Sequence, residues 1–217
     1  MGALISALLP EIVGLIITPA AVVGAVLLLE SRGGVRAAAS FGAGFLVLYA
    51  VITLAAIIGG AANPGAQDDD VSAAIGIAVG CVFLAVGGLQ LLRRPRPDAP
   101  PPGWIRHLDQ AGPAVAFVIG VVMALVNPNL LILLSGIGVI ASSDQSSLVS
   151  LVGLVALFVA AMLDFIVPIG LYVVLGDRAR TALVHVKQWM LRHNRALSIA
   201  VLLGFGVLFL GRGLGSA

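Results

Sequence analysis

Charge is scarce in this chain: only 10% of its 217 residues are Asp, Glu, Lys or Arg, against about 25% in an ordinary soluble domain. Sixty per cent of the residues are hydrophobic and the mean hydropathy is +1.13. One small core has no room for that much apolar surface. Intrinsic disorder is excluded on the opposite ground, because disordered chains lack hydrophobicity rather than charge. Lipid must be the solvent for most of this protein. Cysteine is nearly absent too. The single Cys81 excludes an internal disulfide framework and two-thiol redox chemistry, and it reads as a small core residue. Lysine occurs once, at Lys187, and no G-x-x-x-x-G-K-[ST] loop is present, which excludes P-loop nucleotide hydrolysis. His107, His185 and His193 lie in basic loops with no Cys or carboxylate at metal-ligand spacing, so neither a metal nor another cofactor is expected. No paired carboxylates or Ser/His/Asp arrangement can assemble within a span, and nothing favours an enzyme. The net charge of +2 is too small for a basic nucleic-acid surface.

What the chain does have is long uncharged runs. Six, at roughly 12–29, 37–60, 72–92, 113–140, 148–176 and 196–211, approach the ~20 residues that cross a bilayer core as helix. The first has no basic segment before it and no small-residue cleavage site, so it reads as a span rather than a signal peptide. Eleven of the twelve basic residues fall in alternate connections: Arg32 and Arg36, then Arg93, Arg94, Arg96 and Arg106, then the group from Arg178 to Arg195. Only Arg212 lies elsewhere, and the intervening loops carry Asp68, Asp69, Asp70 and Asp144. Positive loops stay inside, which places both termini outside the cytoplasm. The loop 93–112 is rich in proline and reads as an extended spacer. In 178–195, Leu183, Val186, Trp189 and Met190 recur at helical spacing among Arg180, Lys187 and Arg192. That pattern predicts a short amphipathic helix lying on the inner leaflet.

The two halves resemble each other. The offset that aligns Pro19 with Pro128 also aligns Gly44 with Gly153, and a larger offset aligns Gly80 with Gly204 and Gly87 with Gly211. Three spans per half is an odd number, so the halves insert with opposite topology, a 3+3 inverted repeat. Residues 1–92 form the first half, 93–112 a linker, and 113–217 the second.

Substrate sites in such folds form near the midplane, where helices are interrupted. Thr18-Pro19 and Asn127-Pro128-Asn129 are interruptions at matched positions. Proline frees a carbonyl one turn earlier, and in lipid protein or water must satisfy it. Asn127 and Asn129 add amides that donate and accept. Asp164 is the one carboxylate deep in a span, with no Lys or Arg at its depth and Pro168 one turn on. A carboxylate there faces the bundle interior or a water-filled cavity. It suggests proton coupling or cation binding, or else a structural hydrogen bond to Asn127, Asn129 or Thr53. Glu11 reads as an outer-interface residue, and Glu30 as an ion-pair partner of Arg32.

The runs LIITPAAVVGAVLLLESRGGVRAAASFGAGFLVLYA and ALVNPNLLILLSGIG, with the closing VKQWMLRHNRALSIAVLLGFGVLFLGRGL, resemble the mycobacterial peptidoglycolipid- and sulfolipid-addressing (GAP/Sap) proteins of the LysE superfamily. The resemblance covers nearly the whole chain. It implies a multi-pass protein of the bacterial plasma membrane that helps move a complex glycolipid to the surface beside a larger lipid-export machinery. By that resemblance Pro19 and Asn127-Pro128 are its break motifs. Two features depart from the family. A Lys often follows the second Asn-Pro, where this chain has Asn129, and Ser-Pro-Arg follows the first helix, where it has Glu30-Ser31-Arg32-Gly33. The first departure removes a mid-membrane cation and leaves the substrate's charge open.

The expectation is thus an all-α protein of six spans, acting as an exporter of a glycolipid or related amphiphile. Export of a small polar solute and a non-transporting scaffold of a lipid-export complex are the alternatives. Membrane lipids are its surroundings. A homodimer or partner assembly fits a unit so small beside a bulky lipid.

Overall fold

The computed structural model describes residues 2–58, 69–92, 111–143 and 145–215, apart from the side chains of 69–76 and 177. Its regular structure is entirely helical: α1 (Gly2–Ile16), α2 (Pro19–Glu30), α3 (Gly34–Ile58), α4 (Asp69–Leu92), α5 (Pro113–Val126), α6 (Asn129–Ala141), α7 (Ser147–Leu175) and α8 (Asp177–Gly215). The proline-rich spacer and Asp68 and Asp144 of the acidic loops lie outside the described residues.

Local sequence explains where these helices start and stop. Pro19 and Pro113 occupy first-turn positions, behind Thr18 and Gly112 respectively, where the missing N–H costs nothing. Ser31 ends α2, its backbone N–H and its hydroxyl both donating to the Leu28 carbonyl at 3.1 and 2.7 Å. Gly176, at φ +55°, turns the chain from α7 into α8 through a conformation that only glycine adopts cheaply.

Three helices, Gly34–Ile58, Ser147–Leu175 and Arg178–Gly215, are each long and apolar enough to cross a membrane. The number rises to five if each of two bent pairs is one span. Those pairs are α1 with α2, bent by 46°, and α5 with α6, bent by 65°. The runs at 12–29 and 113–140 are each two helices that part at the prolines read above as interruptions, and one correction there is that α1 begins ten residues earlier, at Gly2. A second correction concerns 178–195. It is not a separate helix but the first half of the 39-residue α8. No Gly or Pro occurs between Asp177 and Leu203, so nothing ends the helix where the basic segment meets the apolar one. At helical rise α8 is about 58 Å long, nearly twice a bilayer core of about 30 Å.

The core lies where α2, α3, α6 and α7 meet. Phe41, Phe45 and Tyr49, spaced one turn apart on α3, stack edge-on with one another, and Phe165 of α7 closes on them with its ring 4.9 Å from that of Phe45. Many apolar side chains point away from this core, among them Val51 and Leu54 on α3 and Val118 and Val126 on α5. Outward apolar surface on this scale marks contact with a membrane. Between helices, lipid offers no hydrophobic driving force, and small residues must bring backbones close. Thus α3 packs along α5, and α4 along α8. At the first seam a Cβ on Gly120 would sit 2.2 Å from the Phe41 carbonyl oxygen, and one on Gly44 2.4 Å from that of Phe117. Both obstacles are backbone, so neither helix can yield without separating. Cys81, read above as a core residue, is exposed on α4.

Gly120→Val should therefore lower stability by about 1–3 kcal/mol through overpacking, read as a lower thermal midpoint in detergent. Gly138→Ala, whose new methyl meets nothing within 4 Å, should leave that midpoint unchanged or raise it.

Candidate functional site

Each bent pair breaks at a proline, and each break frees a carbonyl four residues earlier. For Pro19 that carbonyl is Leu15, and for Pro128 it is Ala124. The second is met locally by the Asn127 N–H at 3.4 Å. The Asn127 side chain then turns forward to accept from the Asn129 N–H at 3.0 Å, the local turn that short amide side chains favour. The first is met from the other half of the molecule. Asn129 Nδ2 donates to the Leu15 carbonyl at 3.2 Å and also to Thr18 Oγ1. The Thr18 hydroxyl lies 3.2 Å from the same carbonyl. Asn129, Thr18 and Leu15 are all buried, so these bonds form where water offers no substitute.

Asp164, 5% exposed on α7, joins this cluster through Thr18, its side-chain hydrogen-bond partner. The partners expected from sequence, Asn127, Asn129 and Thr53, do not hold it. Thr18 has one proton to give and two acceptors beside it, the Leu15 carbonyl and the Asp164 carboxylate. Tyr49 of α3 also lies close enough to Asp164 to interact electrostatically. Pro168 is buried within α7 and frees the main-chain carbonyl of Asp164 itself. Among the described residues no Lys or Arg pairs with Asp164.

The breaks open on a cleft of about 240 Å³. Thr18, Pro19, Asn127, Pro128 and Asn129 line it, joined by Gln90 of α4 and by Asn194 and Ser198 of α8. Asp164 and Pro168 lie behind this wall rather than in it. Among the described residues the lining offers amides and hydroxyls and no ionised side chain, so it can hold a polar, uncharged group by hydrogen bonds. Gln90, Asn194 and Ser198 carried no sequence signal beyond the i, i+4 spacing of the last two.

A second polar cluster lies toward the far end of α8. Glu11, placed at an interface by the sequence argument, is fully buried. Its Oε1 accepts from Arg212 and, at 2.9 Å, from the Ser135 hydroxyl. Its Oε2 has no hydrogen-bond partner. The sequence did contain a pointer: Arg212 is the one basic residue outside the three basic connections. Glu30 likewise pairs with Lys187 rather than with Arg32, so both ion pairs tie α8 to the α1–α2 pair. Of the proposed inner-leaflet residues, Lys187 is engaged in that pair. Trp189 stacks on His193 at 4.7 Å, and Arg180 and Arg192 are exposed.

Two prolines facing each other across a buried amide, in apolar helices, narrow the family, and comparison decides it. Residues 8–215 match the family described as Sap, sulfolipid-1-addressing protein. The chain belongs to the Sap family. No curated protein and no solved structure matches it. In this Sap-family chain the match runs across both breaks, Asp164 and Arg212, so both polar clusters lie within the family's own extent.

The Asn129 bridge predicts a coupled loss. Asn129→Leu leaves the Leu15 carbonyl to the Thr18 hydroxyl alone and should cost about 1–3 kcal/mol of stability. Combined with Thr18→Val, the two losses should fall short of additive by about 0.5–3 kcal/mol, read from thermal midpoints of the single and double variants in detergent.

Proposed function

We propose that this protein is an exporter of the bacterial plasma membrane that carries a glycolipid or related amphiphile toward the cell surface, and that it is a carrier rather than an enzyme. Membership of a family named for addressing a sulfolipid supports the cargo class. In this reading each bent pair is one span and α4 another, giving six spans in two inverted halves with both termini outside. One matched pair of glycines, Gly44 and Gly153, supports that symmetry. Gly44 of α3 packs against α5, the first helix of the opposite half, and Gly153 of α7 packs against Leu4 and Leu8 of α1. The basic start of α8 then lies at the cytoplasmic face, where Arg180, Lys187, Trp189 and Arg192 meet headgroups.

The observation that carries the proposal is the Asn129 bridge. One half's break is completed by the other half's side chain, next to an intramembrane carboxylate and on the wall of a polar cleft. A rocking motion of the halves must break this bridge, and the Leu15 carbonyl then depends on the Thr18 hydroxyl, for whose one proton Asp164 competes. Protonation of Asp164 weakens it as an acceptor and leaves the Thr18 proton to the Leu15 carbonyl, which couples the break to proton supply. Arrangements of this kind, with broken helices meeting at a midplane site, serve transport in many carriers. The cleft's volume of about 240 Å³ also favours a second reading, export of a small polar solute, since a whole glycolipid does not fit inside it.

Deleting the protein should deplete the exported glycolipid from the cell surface, and wild type should restore it. Asp164→Asn should restore far less at equal membrane abundance. Asparagine still accepts from Thr18 but carries no charge and takes up no proton, and exchanging a charged for a neutral acceptor is worth about 1–2 kcal/mol, roughly five- to thirtyfold in rate. Unchanged surface lipids in the deletion strain would sink the exporter reading. Binding of labelled amino acids but not lipid by the purified protein would favour the small-solute reading.

A further inference from the structure

The backbones of α1 and α8 scarcely touch, although both pack closely on other helices. The space between them is a groove of about 490 Å³, lined almost wholly by apolar side chains, among them Pro10 and Val13 on α1 and Phe205 and Leu208 on α8. Its floor is set by Gly14, where the Phe205 ring occupies the place a Cβ would take, 2.2 Å away. Its wall includes Gly204, beside which there is nothing within 4 Å of an added Cβ. Ile17, Leu197 and Val201 line both this groove and the polar cleft, so the two adjoin, with only these side chains between them.

We infer that groove and cleft form one amphiphile-binding site, with a hydroxyl-rich, uncharged headgroup in the cleft and one acyl chain in the groove. The inference rests on the exporter reading and specifies where and how its cargo is held. Size selects the occupant of the groove. A helix is about 10–12 Å across, too bulky to enter a cavity of this volume, whereas a single alkyl chain is thin enough. Along α8 the groove runs from Leu197 to Leu208, about 16 Å at helical rise, a length suited to a chain lying along the helix. Chemistry selects the head. Gln90, Asn194 and Ser198, with the Asn127 amide nitrogen and the Asn129 amide oxygen that the bridge leaves over, present donors and acceptors, matching sugar hydroxyls, and among the described residues the lining of neither cavity includes a charged side chain. Depth distinguishes this site from ordinary lipid contact. Thr18 lies twelve residues before Glu30, about 18 Å along a helix, well below the level at which bulk headgroups rest. The cleft lies toward the basic end of α8 and the groove runs toward Arg212. A bound lipid therefore keeps the inner-leaflet orientation, head toward the cytoplasm, but is drawn into the protein. The Glu11–Arg212 pair, one turn beyond Leu208 on α8, closes the far end of the groove.

The test uses full-length protein in nanodiscs containing a monoglycosyl diacylglycerol with a photoactivatable group at one acyl terminus. Labelling should concentrate on the peptides bearing Val13 and Phe205, and should be competed by unlabelled glycosyl lipid but not by phosphatidylglycerol. Gly204→Trp, which fills the groove, should reduce it several-fold, whereas Gly138→Trp on α6 should not. Equal labelling of all outward apolar helices, equal competition by phosphatidylglycerol, or full labelling of Gly204→Trp would each overturn the site. In cells whose surface glycolipid depends on this protein, normal export by Gly204→Trp would remove the groove and leave the exporter reading standing. Loss of that dependence itself would instead remove the exporter reading.

Discussion

Everything at the centre of this molecule depends on the carbonyl that Pro19 leaves without its helical partner. In water such a group would be hydrated at little cost. Within apolar helices it must find a protein donor, and the donor here is Asn129 from the far half of the chain. That requirement places the α5–α6 break against the α1–α2 break, fixes Thr18 between them, and thereby sets what stands beside Asp164. The same two bends hold the cleft open, since straight helices at this crossing would close over it.

A second consequence concerns α8. Its two ion pairs, Lys187 with Glu30 and Arg212 with Glu11, lie on either side of the cleft and groove, and both reach the α1–α2 pair. Of the four side chains only Glu11 is fully buried, and pairs shielded in this way contribute little net stability but are costly to break on the buried side only. They therefore act as positional constraints, setting the register of a long helix against a bent one. Glycines do the corresponding work elsewhere: the α3–α5 and α4–α8 seams are tight because backbone meets backbone at Gly44, Gly120 and Gly80. The α1–α8 boundary has no such seam. A cavity remains there because Phe205 fills only the space over Gly14, and nothing covers Gly204.

Much of the architecture was legible in the sequence because lipid imposes a coarse code. Long uncharged runs locate apolar helices, and Pro19, Pro128 and Pro168 carry local backbone consequences wherever they fall. Asp164 stood out because nothing near it in sequence could neutralise it. What the sequence did not show has an equally physical reason. The basic segment 178–195 was separated from 196–211 on charge alone, but charge does not end a helix, and the chain between contains neither Gly nor Pro. Glu11 was placed at the outer interface because a run of 18 uncharged residues follows it, and its partner, Arg212 at the opposite end of the chain, could not be read from that run.

The sequence by itself determined the solvent, the helical class and the positions of the breaks, since each follows from composition or from a single residue's backbone chemistry. Only the tertiary structure decided which groups answer one another: Asn129 with Leu15 and Thr18, Thr18 with Asp164, Glu11 with Arg212, Glu30 with Lys187. Those pairings join residues from separate helices, most of them from opposite halves of the chain. They are chosen by how bent helices pack, and local sequence does not encode that geometry.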